Sequence, residues 1–351
     1  MGRIKASYIV IGYNHARFAA EAVQSALAQE YEDMEFIFSD DFSTDGTFEK
    51  MQAAASCGDK QHRPIKILRT PKNLGLSRHL GHVFSQAAGD VFILQSADDI
   101  ALPQRAAELM KIFEVDPKVK MAMSNVRLID ERGGLIKPEY APRGLVYVED
   151  AVTLARGGFA WIVGASEAIR REVYEAFGPP VSPACWEDYM FAFRASLLGR
   201  IVFCDQVLLE WRHHQSNMSH HADFSGGVES RRRFEEHFLK NLRSHLVYQR
   251  QHLADLEKAR SSLSAGLWCA LEDILLNAKY MKHLEYAARR GAPWRFIWRL
   301  CLHARARRQK KSWLARQVMI RLLRPCYFRS VYNGVRARLR RESNELPGSI
   351  G

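Results

Sequence analysis

The chain has 351 residues, is 47% hydrophobic and carries a formal net charge of +12. It is long enough to bury one large core and a smaller second unit. No stretch approaches 18 continuous apolar residues, which excludes a transmembrane helix, and six cysteines without CxxC or metal-ligand spacing suit a reducing cytoplasm.

The opening MGRIKASYIV runs straight into an apolar strand, so neither a signal peptide nor a lipidation signal is expected. That strand, Tyr8–Ile11, stops at Gly12-Tyr13-Asn14. Phe18, Ala22, Ala26 and Gln29 then mark one side of a helix, with Val23 and Leu27 widening its apolar stripe. A second strand, Met34–Phe38, stops at Ser39-Asp40-Asp41. The unit recurs: strand Ile65–Leu68, turn Asn73-Leu74-Gly75, helix Ser77–Ala88, stop Gly89-Asp90, and an apolar strand Val91–Gln95 that runs into Ser96-Ala97-Asp98-Asp99. Pro103 fits the first turn of a helix over Gln104–Val115. Short buried strands alternating with helices predict an α/β fold with a mainly parallel sheet. Ligands bind such sheets beyond the carboxyl ends of the strands, where these polar turns lie.

Asp40 and Asp41 can cap the next helix, but Ser43, Thr44 and Asp45 already serve that end. Asp98 and Asp99 repel each other unless a cation or donor is near. A divalent ion held by one or two carboxylates, with waters and phosphate oxygens completing its shell, relieves that repulsion.

Further on, Trp161–Ser166 reads as a strand and Arg170–Phe177 as a helix. Gly164, Ala165 and Ser166 are small enough to let a sugar approach the backbone. Glu187-Asp188 precedes a mostly buried helix, Tyr189–Leu198, and can serve the helix dipole there. Trp186 suits either a sugar face or the core. A last core strand, Val207–Trp211, leads into Arg212-His213-His214, and His220-His221 follow; the spacing argues against structural zinc. Helices are expected over Arg231–Tyr248 and Trp268–Leu284, with a break at Ser261–Gly266 and a turn at Gly291-Ala292-Pro293.

Of the 51 Lys and Arg, 17 lie between Tyr286 and Arg341 with no Asp or Glu, leaving 34 basic against 39 acidic residues elsewhere. The positive excess therefore sits in a tail interleaved with Trp294, Trp298, Trp313, Leu322 and Phe328. Such basic amphipathic helices suit an anionic membrane surface. Packing of the tail on the rest of the chain is the competing reading, and nucleic acid is not expected because no nucleic-acid-binding motif surrounds the charges. Three regions follow: an α/β domain over 1–222, a helical extension over 223–290 and the basic tail over 291–351.

Five segments in order resemble family 2 glycosyltransferases over roughly residues 5–220: Ile9–Asn14, Asp40-Asp41-Phe42-Ser43-Thr44-Asp45-Gly46-Thr47, Asn73-Leu74-Gly75 with Arg78, Asp98-Asp99, and Trp186-Glu187-Asp188. The resemblance implies the GT-A fold and a metal-dependent, inverting transfer from a nucleotide-diphosphate sugar to a glycan or lipid-linked hydroxyl. It places Gly12, Tyr13, Asn14, Asp40, Asp41, Arg78 and Asp98 at the nucleotide, with a UDP-sugar favoured because an aspartate can accept the uracil N–H. It places Mn²⁺ or Mg²⁺ on Asp99, Asp98 and His214, and Arg212 near the diphosphate or sugar. Asp188, with Glu187 beside it, becomes the base. Ser96 stands where the family often has the first aspartate of its metal motif, and Phe42 where it usually has glycine. Bacterial surface polysaccharide or lipopolysaccharide synthesis at the cytoplasmic face of the membrane fits such an enzyme. A nucleotide-sugar-binding protein without turnover is the alternative, and a nucleotidyltransferase a weaker one, because Gly12-Tyr13-Asn14 is no triphosphate loop. The sugar, acceptor and oligomeric state are not written in these motifs.

Overall fold

The computed structural model describes residues 4–56, 58, 62–144, 146, 148–156, 162–180, 182, 187–214, 217 and 246–289. Trp161, Trp186, His220, His221, most of the helix expected over 231–248 and the tail beyond 289 lie outside them.

A single sheet organises the chain. Its strands are β1 (Ala6–Gly12), β2 (Met34–Asp40), β3 (Ile65–Arg69), β4 (Val91–Ser96), β5 (Ile100–Ala101), β6 (Val119–Ile129), β7 (Leu135–Lys137), β8 (Val148–Glu149), β9 (Glu167–Arg170) and β10 (Arg200–Arg212). They lie in the order β3-β2-β1-β4-β9-β6-β10-β5, with β7 on β6 and β8 on β10. β3, β2, β1 and β4 pair in parallel, as do β6 and β10. β9 runs antiparallel between β4 and β6 and joins the two parallel halves.

The strands read as continuous apolar runs because both faces are covered. Ile9, Ile37, Phe92 and Leu94 face one core, which also holds Leu80, Val83, Phe191 and Phe193. Their neighbours Tyr8, Val10, Phe36, Phe38 and Ile93 face the other, against Ala22, Val23, Met51, Leu109 and Phe113. The covering helices are α1 (Ala19–Leu27), α2 (Thr47–Ser56), α3 (Leu76–Gln86), α4 (Arg105–Val115), α5 (Ala151–Ala155), α6 (Arg171–Phe177) and α7 (Glu187–Leu198). Residues 246–258 form α8, and α9 spans Ala265–Arg289.

Two expectations about strands change. Gly164–Ser166 is a 3₁₀ turn rather than the end of a strand, closed by Ser166 N and Oγ, which both donate to Val163 O at 2.8 Å. The strand begins only at Glu167. Central β6 is not expected as a strand: its β-branched residues, Val119, Val126 and Ile129, flank a Met-Ala-Met-Ser-Asn middle that is poor in them. Tertiary pairing decides it, with β10 and β9 on its two sides.

The contacts divide the chain into two units, Met1–Leu276 and Asn277–Gly351. Within the first, Tyr248, Leu256, Leu271 and Leu275 share the core of α7. Arg194 on α7 and Asp255 on α8 form a fully buried two-bond ion pair at 2.9 and 3.0 Å. Deleting one partner of such a pair strands a buried charge and costs about 3–5 kcal/mol. Among the described residues no helix is long and apolar enough to cross a membrane.

Candidate active site

Three polar turns meet at the carboxyl ends of β1, β2 and β4. The β1 turn is narrow. A side chain on Gly12 would press within 2.6 Å of Met51 Cε and 2.9 Å of Ala97 Cβ. Asn14 takes a left-handed φ of 56°. The β2 turn is laced to it: Asp41 N donates to Gly12 O at 2.9 Å, Asn14 N to Ser43 Oγ at 2.8 Å, and Thr44 N to Asn14 Oδ1 at 3.1 Å. Tyr13 stands exposed on this rim.

Asp40 and Asp41 prove to be frame. Asp40 is fully buried, accepts from Ser43 N at 2.9 Å and from Ser43 Oγ, and pairs with Arg69 Nε at 3.4 Å. Asp41 Oδ1 accepts from Thr70 Oγ1 and Leu74 N, and Oδ2 from Gly75 N, each at 2.9 Å. Asp40 thus holds its own turn, and Asp41 holds the loop that opens α3. Only Asp41 Oδ2 keeps acceptor capacity toward a ligand at that loop. Behind them, burial drives His79 down to about 4, so its ring stays neutral beside Ser39 Oγ at 2.7 Å. Arg78 is exposed on the first turn of α3.

The next turn reverses the expected weight of Asp98 and Asp99. Asp98 Oδ2 lies 3.0 Å from His214 Nε2 and 3.8 Å from His15 Nε2, and Asp98 Oδ1 accepts from Ser96 Oγ. Burial opposes ionisation of Asp98, but His214, His15 and Ser96 outweigh it and hold the carboxyl below its usual value. Asp99 is instead turned toward β10, where Oδ1 accepts from Arg212 N at 2.9 Å. Burial, and then the charge of Asp98, push its carboxyl well above the usual range. Its expected metal contact is therefore corrected: Asp99 anchors β10, and Asp98 is the carboxylate of the pair that lies beside two imidazoles.

Arg212 is corrected for the same reason. Its guanidinium is buried and spent on Asp98 O at 2.8 Å, Glu21 Oε2 at 2.6 Å and Asp130 O at 3.3 Å. It braces the turn, with Nε and both terminal nitrogens each donating to a protein oxygen.

His15, Asp98 and His214 each offer one ligand atom, all within 4.8 Å of one another. Two ligands at about 2.2 Å from one ion lie up to about 4.4 Å apart, so the set fits a single divalent ion after a small adjustment. His15, which the sequence reading passed over, follows Asn14 directly after the β1 turn, and that position was its only signal. Its backbone N–H is fixed by Thr47 Oγ1 at 2.7 Å.

The second group of acids surrounds the Gly164 turn. A side chain on Gly164 would lie 2.9 Å from Glu187 Oε1, so glycine lets the first turn of α7 approach. Burial raises Asp188 to about 6, and burial with the Asp188 charge raises Glu187 to about 8. Glu167, also unflagged by the sequence, is fully buried with neither carboxyl oxygen hydrogen-bonded among the described residues. Burial and the two neighbouring acids push it well above its usual value. Arg105 ties this turn to β4, donating from Nη2 to Leu94 O at 2.7 Å and Ala165 O at 2.8 Å. Ser166 is buried with its hydroxyl spent on Val163 O, so the sugar contact expected of it is corrected to a structural bond. Gly164 and Ala165 remain half-buried.

An acid pair with raised proton affinity and a carboxylate–imidazole set at strand ends are thus both present. Residues 7–176 match the family model for glycosyl transferase family 2. That stretch, just under half of the chain, belongs to the family. Asp188 and His214 lie beyond the matched segment. A glycosyltransferase of Nostoc is 28% identical over 219 residues, 61% of this chain and 66% of its own length. One of Rickettsia conorii is 34% identical over 220 residues, 61% of this chain and 35% of its own. The chain thus spans less than two thirds of these relatives. Among solved structures, TarS of S. aureus in complex with UDP-GlcNAc superposes with TM-score 0.53 at 14% identity, covering 92% of both chains. The mannosyltransferase of Pyrobaculum calidifontis in complex with GDP-Man and Mn²⁺ gives 0.50 at 17% identity, covering 92% of this chain and 86% of its own. The fold of this family 2 protein is the GT-A fold.

Proposed function

We propose that this family 2 glycosyltransferase moves a sugar from a nucleotide-diphosphate sugar, preferentially a UDP-sugar, to a hydroxyl of a glycan or lipid-linked acceptor, with inversion. The observation that carries this reading is the convergence of Asp98, His15 and His214 from three strand ends. The GDP-Man, UDP-GlcNAc and Mn²⁺ held by structural neighbours support such a donor. Those three residues would hold a divalent ion, and its chemistry there is to neutralise charge on the departing diphosphate. Two imidazoles in the set favour Mn²⁺ over Mg²⁺, which prefers oxygen ligands. Tyr13 lies against the base, Asp41 offers its remaining acceptor, and Arg78 supplies a cation. Asp188 takes the proton of the attacking acceptor hydroxyl, and its raised proton affinity suits that task.

The test is thermal unfolding of the full chain against nucleotides and nucleotide sugars with Mn²⁺, Mg²⁺ or EDTA. A Tm rise with UDP or a UDP-sugar that needs Mn²⁺ is expected. Equal shifts in EDTA, or none with any nucleotide, would refute the donor site.

The basic stretch from Tyr286 to Arg341 supports placing the enzyme on an anionic membrane, where bacterial surface glycans are extended. Sedimentation with anionic vesicles should be lost on deletion of 293–351. Retention by the truncated protein would count against this placement.

A further inference from the structure

Phe42 is held in a conformation that the fold has no packing reason to keep. It follows Asp41 at the end of β2 with φ at +63°, the left-handed region that bulky side chains avoid and glycine enters freely. Its ring gains little burial in return, because it is 43% exposed and belongs to neither apolar core. The bonds of the turn, Ser43 N to Asp40 Oδ2 and Asp41 N to Gly12 O, hold that conformation, and strain held in this way clusters at ligand sites.

The surroundings say which ligand. The turn bearing Phe42 is bonded to the turn bearing Tyr13 through Asp41 N to Gly12 O and Asn14 N to Ser43 Oγ. Two exposed aromatic rings therefore crown the adjacent ends of β1 and β2, with Tyr13 45% exposed. The Arg69 guanidinium carbon lies 5.7 Å from the Phe42 ring centroid. Arg69 is itself tethered, donating to Ser43 O at 2.8 Å and pairing with Asp40. So the ring is propped by a fixed cation, and among the described residues no other ring or cation lies over it. The same strand ends carry His15 and, one strand further, Asp98. A ligand anchored there by a diphosphate brings a flat, uncharged aromatic group to this rim.

We propose that Phe42 is a stacking residue for the nucleobase of the donor, a role that rests on the donor-site reading above. A ring offers a π-face to every base, so Phe42 adds affinity common to uracil and guanine and does not choose between them.

The test is titration calorimetry on the full chain in Mn²⁺ with three probes: UDP, GDP and inorganic pyrophosphate, which has no base. In Phe42→Gly the Kd for UDP and GDP should weaken about ten-fold. Pyrophosphate affinity should not change, and the Tm of the unliganded protein should hold or rise, because glycine relieves the backbone. Phe42→Trp should keep nucleotide affinity. Two results overturn the proposal: nucleotide affinity in Phe42→Gly within about two-fold of the parent, or equal losses for all three probes, with or without a lowered Tm. If the parent protein binds pyrophosphate but neither nucleotide, Phe42 has no base to stack on. If it binds none of the three, the donor-site reading itself falls, and Phe42 with it.

Discussion

Asp98→Ala is expected to abolish the Mn²⁺-dependent Tm rise with nucleotide and to lower kcat/KM on the order of 10²–10³-fold. Among the described residues Asp98 is the one carboxylate that reaches both His15 and His214. Its side chain carries none of the surrounding backbone, since Arg212 Nε is held by the Asp98 carbonyl. The variant should therefore fold, with a lowered Tm because Ser96 Oγ and His214 Nε2 lose their buried partner. Asp99→Ala makes the contrast. It removes the acceptor for a buried backbone N–H of β10 and should cost about 1–3 kcal/mol of stability in urea unfolding. If Asp99→Ala instead erases the metal response in a stable protein while Asp98→Ala retains it, the roles assigned to this pair are reversed.

Asp188→Asn is expected to lower kcat on the order of 10²–10⁴-fold, leaving nucleotide affinity unchanged. Asparagine keeps the shape of the first turn of α7 but cannot take a proton. The pH dependence follows from the same group. Burial raises Asp188 to about 6, so the free carboxylate is present above that pH and is lost as pH falls through it. Activity of the parent should rise with an acid limb near pH 6, well above the range of an exposed aspartate. Glu187, raised to about 8, still holds its proton there and contributes no second negative charge. A kcat that is flat from pH 5 to 8, or an Asp188→Asn variant with undiminished turnover, would exclude Asp188 as the base.

These two variants probe ends of the site that the sequence displays unequally. Asp98-Asp99 and Glu187-Asp188 are both visible as acidic pairs after an apolar run or before a helix. Which member of a pair faces the ligand is invisible there, because partners distant in the sequence decide it. Asp99 is claimed by Arg212 N and Asp98 by two imidazoles, each from a partner more than 80 residues away. Arg212 and Ser166 show the converse error. Their residue types suit a diphosphate and a sugar, but buried carbonyls and Glu21 have already taken their donors.

The α/β alternation, the strand ends as the site and the acids that line it were determined by the sequence alone, through hydrophobic periodicity and short-range turn chemistry. β6 was decided only by the tertiary structure, since its Met-Ala-Met-Ser-Asn middle favours no strand and its pairing with β9 and β10 supplies the preference. The entry of His15 into the ligand group, the isolation of Glu167 beside Asp188 and the strained display of Phe42 were decided in the same way. Each depends on where distant segments bring a neighbour or withhold one, and local spacing carries no record of that.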